Sequence, residues 1–479
     1  MRPLPYRELY CPAHFGNSYE AMWPNEMHDL LAEAKHWGFT HYGDWFDNQD
    51  LRSPASLGLH DDYSTGPELQ RRKISHYRSA AAVGLGLDLV LTPNHVYVDQ
   101  VRDDLAAEKG ESHVFGQLVC PSIPEARDII IGNHRDLFRE LHGAGIALSS
   151  ISACPYDFGG CTCEKCNPWI VMFGKLVVDI YGAARECFPD IVPRLIGWWW
   201  RPEDHVHFNQ WANREYPGLF QSLASYIKYG EYVPDATNAF PNDCESHAFI
   251  HIGYADRHEP HDLYGGWGPT IAPSRIEKTV RDLSTKGYTG YMAYSEGQFD
   301  DVNKALLAGL SSGAFSTAND VLRAYAGRYF GASGADAVLW ADWLDSWGAP
   351  FERDVVTARR DFDRLARDTR RSWRLDQLEA KLRLFEAHAD VMRRAEWDAE
   401  RIGAAKRWYA ERERLQRRIW GLGLTRHVFS TLWGANRPSW ENEYLEHAGS
   451  YTHTGSIICL LYTSPSPRDR TRSRMPSSA

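Results

Sequence analysis

Strand-like and helix-like segments alternate through the first 315 residues, and that alternation leaves few folds open. Parallel strands cannot be joined by a tight turn, so each strand must be followed by a long crossover, usually a helix. Short apolar runs are expected as strands at 8–15, 40–46, 87–92, 146–152 and 192–198. Further strands are expected at 246–254, 263–268 and 288–294. Between them lie helical patterns. Pro24 opens one in which Met27, Leu30, Leu31, Ala34 and Trp37 share a face, and Gly38 stops it. Others are expected at 67–83, 123–141, 168–187 and 274–285. Eight such units predict a (β/α)8 barrel of the TIM type over residues 1–315 rather than an open sheet.

Beyond residue 316 the strand signal stops. The text to about residue 422 is rich in Ala, Arg, Glu, Leu and Trp, which predicts an all-α region over 316–457. Within it, Leu375, Leu378, Leu382, Phe385, Ala389 and Met392 follow three- and four-residue steps and are expected as one packed seam. Residues 458–479 carry prolines, arginines and serines without apolar periodicity. They resemble the read-through of a sequencing adapter and are expected to be a non-native, disordered tail.

The barrel reading directs attention to strand ends, because barrel enzymes gather their working groups at the carboxyl ends of the strands. The last strand runs into Tyr294-Ser-Glu296-Gly, then an acidic turn and a helix carrying Val302, Leu306 and Leu310. Glu296 is therefore the leading catalytic candidate. Its plainer reading is a helix cap, or a partner of Arg275 or Lys304. Asp157, in the loop after the fourth strand and before Gly159-Gly160, is the expected second carboxylate. Its plainer reading is an Asx turn. Cleavage of a glycosidic bond needs two such groups across one bond, one protonated and one ionised.

Other polar and aromatic residues fall at the same expected rim. His14, Asp44, Asn94, His95, Arg201, Glu203, Tyr254 and Tyr294 are candidates for binding hydroxyls or acidic sugars. Trp45, Trp199, Trp200 and Trp267 are candidates for stacking on sugar faces. The 18 Trp, 24 Tyr and 19 Phe tilt the reading the same way, although core filling takes many of them.

Cys161-x-Cys163-x-x-Cys166 has the spacing of a thiolate knuckle. It is expected to hold a structural zinc, with Cys154, Cys244 or a histidine as fourth ligand, and no cofactor is expected in catalysis itself. The odd total of nine cysteines fits a reducing compartment better than a disulfide framework. With no apolar leader segment in view, a cytoplasmic location is expected. A net charge of −10 argues against a phosphate-bound nucleic-acid partner. No run of about 18 apolar residues exists, so no membrane partner is expected. The expected partner is a carbohydrate.

Two stretches carry a family resemblance. One is Ser152-Ala-Cys-Pro-Tyr-Asp157-Phe-Gly-Gly-Cys-Thr-Cys-Glu-Lys-Cys166. The other is Tyr294-Ser-Glu296-Gly with Asp301-Val-Asn303-Lys304 and the later Arg323-Ala-Tyr-Ala-Gly-Arg-Tyr-Phe-Gly331. Together they resemble glycoside hydrolases of the barrel-plus-helical-domain type, near the hexosaminidase-like and α-glucuronidase-like barrels and uncharacterised bacterial relatives. The resemblance implies hydrolysis of O-glycosyl bonds. It departs in one place: family 20 hexosaminidases carry an adjacent Asp-Glu pair after strand four, whereas Phe158 follows Asp157 here. Their substrate-assisted chemistry is therefore not implied. A non-catalytic carbohydrate-binding barrel and a metal-dependent hydrolase using His14, His95 and Asp44 are the alternatives.

Overall fold

The computed structural model describes residues 2–13, 18–46, 65–108, 119–155, 160–198, 200–236, 241–253, 269–295, 297–348, 353–395 and 398–419. Eight parallel strands close into a barrel in sequence order. They are β1 (Tyr6–Tyr10), β2 (His41–Trp45), β3 (Gly86–Leu91), β4 (Ser150–Ala153), β5 (Val192–Gly197), β6 (Ser222–Ile227), β7 (Glu245–His251) and β8 (Gly290–Tyr294). Closure comes from β1 pairing with β8, in a register that runs from Tyr6 opposite Gly290 to Tyr10 opposite Tyr294.

The helices outside the barrel are α1 (Ser18–Ala21), α2 (Pro24–Trp37), α3 (Thr65–Ala82), α4 (Pro124–Gly143), α5 (Trp169–Arg185), α6 (Pro202–Glu215), α7 (Pro273–Thr285) and α8 (Asp301–Ser311). On α2 the expected face is buried at Met27, Leu31, Ala34 and Trp37. The helix ends at Gly38, whose left-handed φ of 119° suits a residue without a Cβ.

Two strand expectations need correction. The sixth strand is Ser222–Ile227, a stretch with no strand reading from sequence, and 246–254 contributes the seventh instead. Ser-Leu-Ala-Ser-Tyr-Ile holds a single β-branched residue and no strict alternation, so its strand signal is thin. The expected strand at 263–268 lies outside the described residues. The fourth strand also starts later than its apolar text. Ile146 and Leu148 are buried in the approach, and pairing begins where Ser150 meets Asp88.

Alternation along the strands sorts residues between two environments. Leu87, Leu89 and Leu91 of β3 face outward into the core shared with the helices, while Val90 faces into the barrel. Toward the amino ends of the strands the interior is polar. Glu8 and Asp88 are fully buried, beside Ser150, Ser222 and His247. Tyr6 donates a hydrogen bond to Glu8 Oε2 at 2.7 Å, and the Arg194 guanidinium lies 4.1 Å from the Tyr6 ring centre. Burial first, and the like charge of Asp88 second, push the Glu8 carboxyl well above the usual carboxylate range. Gly43 leaves the room this needs, since a Cβ there would sit 2.1 Å from Glu8 Oε1.

Downstream come α9 (Ala318–Phe330), α10 (Gly334–Asp345), α11 (Val355–Ala366), α12 (Trp373–Met392) and α13 (Ala399–Ile419). One apolar core runs from Leu306 and Leu310 of α8 through Val321 and Tyr325 to Trp340, Phe362, Leu382 and Phe385. Arg374 of α12 grips Asp301 at 2.6 and 3.1 Å, and Tyr325 donates to the same carboxylate at 2.6 Å. Of the expected seam, Leu375, Leu378, Leu382 and Phe385 are buried and Ala389 is half-buried, but Met392, the last residue of the helix, is 61 % exposed. Residues 420–479, including the expected tail, lie outside the described residues. Among the described residues no helix is long and apolar enough to cross a membrane.

Candidate functional site

At the carboxyl ends of the strands the barrel interior turns aromatic. Tyr10, Trp45, Phe249 and Tyr294 pack there with Val90, Cys154, Ile196, Ala224 and Met292, flanked by Trp198 and Tyr226. Every strand contributes to this layer from its last residues or the one just beyond. His251, the last residue of β7, sits among them, with ring centres 4.6 Å from Tyr294, 4.7 Å from Trp198 and 5.2 Å from Tyr226. Burial, then the charge of Lys228, pushes its pKa down to about 3, so the imidazole is neutral. The layer offers ring faces and edges to whatever enters from the mouth.

Just past β8 lies a compact polar network. The Tyr19 hydroxyl is 2.5 Å from Ser295 Oγ, which donates to Asp300 Oδ1 at 3.0 Å. Lys304 closes the network, 2.6 Å from Asp300 and donating to the Gly297 carbonyl at 2.7 Å. Burial raises the Asp300 carboxyl and the Lys304 ammonium opposes that rise. The network holds Ser295 and Gly297, the two chain neighbours of position 296. Lys304, one of the alternative partners for Glu296, is occupied with Asp300. Asp300 precedes α8, but its side chain makes no cap hydrogen bond.

The expected site residues divide into four groups. Glu296, Asp157, His14, Trp199, Tyr254 and Trp267 lie outside the described residues. Trp45 and Tyr294 belong to the aromatic layer, and the Trp45 indole donates to Thr92 at 3.2 Å. Asn94 and His95 follow β3, both buried, and the Asn94 Nδ2 has no partner among the described residues.

Of the remaining four, Asp44 and Trp200 pack outside the barrel interior, and Arg201 and Glu203 are exposed. Asp44 points outward: its Oδ1 accepts from Ala13 N at 3.0 Å and Trp45 N at 2.7 Å, and lies 3.3 Å from Lys73 of α3. An ion pair with both side chains buried ties strand to helix, and in β2 it is Trp45, not Asp44, that alternation turns inward. Trp200 packs on Phe173, His205 and Phe208 of α5 and α6. Arg201 and Glu203 are exposed at the start of α6, where the Arg201 backbone N–H donates to Asp204 at 2.8 Å.

Cys161, Cys163 and Cys166 do come together, and a fourth thiol joins them. Cys120, just before α4, lies 3.7 Å from both Cys163 and Cys166, sulfur to sulfur. All four sulfurs are within 4.8 Å of one another. Cys154 belongs to the aromatic layer and Cys244 packs beside the α5–α6 cluster, so neither expected thiol is the fourth member.

No family model matches the sequence, and no curated protein matches it. Many solved structures match in shape. A mutant of the Thermobaculum terrenum O-GlcNAc hydrolase is 10 % identical with a TM-score of 0.46, over 94 % of this chain and 98 % of that one. A glycoside hydrolase family 138 enzyme targeting pectin rhamnogalacturonan II gives 10 % and 0.46, over 92 % of this chain and 61 % of that one. A family 30 subfamily 8 xylanase from Clostridium acetobutylicum gives 14 % and 0.38, over 66 % and 72 %. At such identities and scores the likeness says nothing of substrate or residues.

Several residues of the site had no reading in the sequence. His251 and Tyr226 reach the interior through strand alternation and Trp198 packs against the layer from just past β5; for His251 the signal was present as His247, Phe249 and His251 at steps of two. The Asp300–Lys304 pair was visible as an i, i+4 spacing. Cys120 had no local signal.

Proposed function

We propose that the chain is a glycoside hydrolase that cleaves an oligosaccharide or glycoconjugate, with Glu296 and Asp157 as its carboxylate pair. The observation that carries this reading is the closed barrel with an aromatic layer directly beneath the carboxyl ends of its strands. In the sequence, Glu296 is the second residue after β8 and Asp157 the fourth after β4. In a ring of eight, strands four and eight are opposite. That placement favours the wider spacing of inverting enzymes, roughly 6.5–9.5 Å, over the roughly 5–5.5 Å of retaining ones. The aromatic layer suits the apolar faces of sugar rings, and the family resemblance of the two motifs points to the same chemistry.

A hexosaminide is the first substrate to try, followed by a panel of aryl glycosides that includes glucuronides. Glu296→Gln and Asp157→Asn are each expected to fold normally and lose on the order of 10²-fold or more in kcat. Wild-type rates in both variants would overturn the assignment of the pair. Sugar binding without hydrolysis of any member of the panel would leave the carbohydrate-binding barrel as the function.

A further inference from the structure

We propose that Cys120, Cys161, Cys163 and Cys166 together hold one zinc ion, and that this ion clasps the loop after β3 to the loop after β4. The distances carry the argument. Zinc–sulfur bonds of about 2.3 Å in a tetrahedron put the sulfurs about 3.8 Å apart. Cys120 Sγ stands 3.7 Å from Cys163 Sγ and from Cys166 Sγ, and no pair in the cluster exceeds 4.8 Å. A disulfide would need about 2.05 Å, so these are not bonded pairs. Four thiols at this separation, three of them buried, match a soft divalent cation better than apolar packing.

The backbone around the cluster is built to present the sulfurs. Within the loop after β3, Cys120 N–H donates to the Leu105 carbonyl at 2.8 Å, and Thr162 N–H of the loop after β4 donates to the Glu108 carbonyl at 2.8 Å, which joins the two loops. Ala106 and Val119 form an antiparallel bridge beside them. Gly160 turns the chain in with a φ of 71°, passing so close to Trp169 that a Cβ would overlap the indole at 1.9 Å. Ser122 Oγ lies 3.0 Å from Cys120 Sγ and 3.7 Å from Cys163 Sγ, a donor placed to orient thiolates.

Four protein sulfurs leave zinc no open position, so the ion is structural and takes no part in catalysis. Loading exchanges thiol protons for the cation and changes no oxidation state. The clasp joins two segments far apart in sequence: Cys120 precedes α4, while Cys161 lies four residues beyond Asp157.

The test uses the full chain, purified without chelator, and needs no substrate, so it stands apart from the glycosidase reading. Elemental analysis is expected to give about one zinc per chain, following the four-ligand rule. Cys120→Ser should retain zinc on the order of 10-fold or more weakly against a competing chelator, whereas Cys244→Ser should match wild type. If Cys120→Ser fails to fold, the wild-type chain loaded with cobalt should show tetrahedral thiolate absorption bands. In the wild-type chain four thiols should resist a thiol reagent until chelator is added. Zinc absent or replaced by iron, zinc held equally well by Cys120→Ser, or four thiols reacting freely before chelation would each overturn the proposal.

Discussion

Replacing Lys304 with Met isolates the electrostatics of the turn after β8. Lys304 is 6 % exposed and Asp300 fully buried, 2.6 Å apart, so the change leaves a buried carboxylate without its cation. The methionine keeps most of the aliphatic stem, so little cavity is added. Removing one partner of a buried pair costs about 3–5 kcal/mol. The carboxyl has one escape, which is to take up a proton. Against an unfolded pKa of about 3.9, holding that proton at pH 7 costs about 4 kcal/mol, and at pH 5 only about 1.5 kcal/mol. The lost hydrogen bond to Gly297 adds about 1 kcal/mol at either pH.

In the variant, then, the folded pKa of Asp300 lies above the unfolded one. The folded protein keeps a proton that the unfolded chain has released, so stability falls as pH rises above about 4. Urea unfolding of Lys304→Met should show a loss larger at pH 7 than at pH 5, by up to about 2.7 kcal/mol, since wild-type Asp300, itself raised by burial, follows part of the same slope. Adding Asp300→Asn to Lys304→Met should remove that pH dependence. A loss of equal size at both pH values would show that Asp300 is not the buried acid this reasoning requires.

Arg374→Met should cost about 2–3 kcal/mol in chemical denaturation, since it strips the two-point grip on Asp301 and leaves, among the described residues, the Tyr325 hydroxyl; Arg374→Lys should restore little, because an ammonium cannot reproduce the fork. The buried histidines set acid lability: burial pushes His41, His76, His134 and His247 down to about 4 and His251 to about 3. The unfolded chain takes up protons on these groups below about pH 6.5 while the folded one does not, so each costs up to about 1.4 kcal/mol per pH unit as pH falls toward 4. Glu8, Asp88 and Asp300, raised by burial, work in the opposite direction and offset part of it. Thermal melts should therefore drop between pH 6 and 4, and proton NMR should show the His251 ring neutral at pH 5. A flat melting profile over that range would refute the histidine assignment.

The fold class and most of the barrel were legible from residue order alone, because strand and helix periodicities are local properties of the chain. The face of α2, the stop at Gly38, the Leu-rich alternation of β3 and the buried stretch from Leu375 to Phe385 needed no knowledge of neighbours. The Cys161–Cys163–Cys166 cluster was equally plain, since its members lie within one turn of loop. What sequence could not decide was which way a strand-end residue faces. Asp44 and Trp45 are adjacent, yet one pairs with Lys73 outside the barrel and the other enters it, and only the pairing register with β1 and β3 determines which. Trp200 went to the helices for a similar reason: it lies beyond the end of β5, where alternation no longer applies. Ser222–Ile227 became a strand because a closed ring left a place between β5 and β7, not because its residues demand one. Cys120 found its three partners across more than forty residues, a distance no local pattern can span; tertiary packing alone brings all four sulfurs within 4.8 Å of one another.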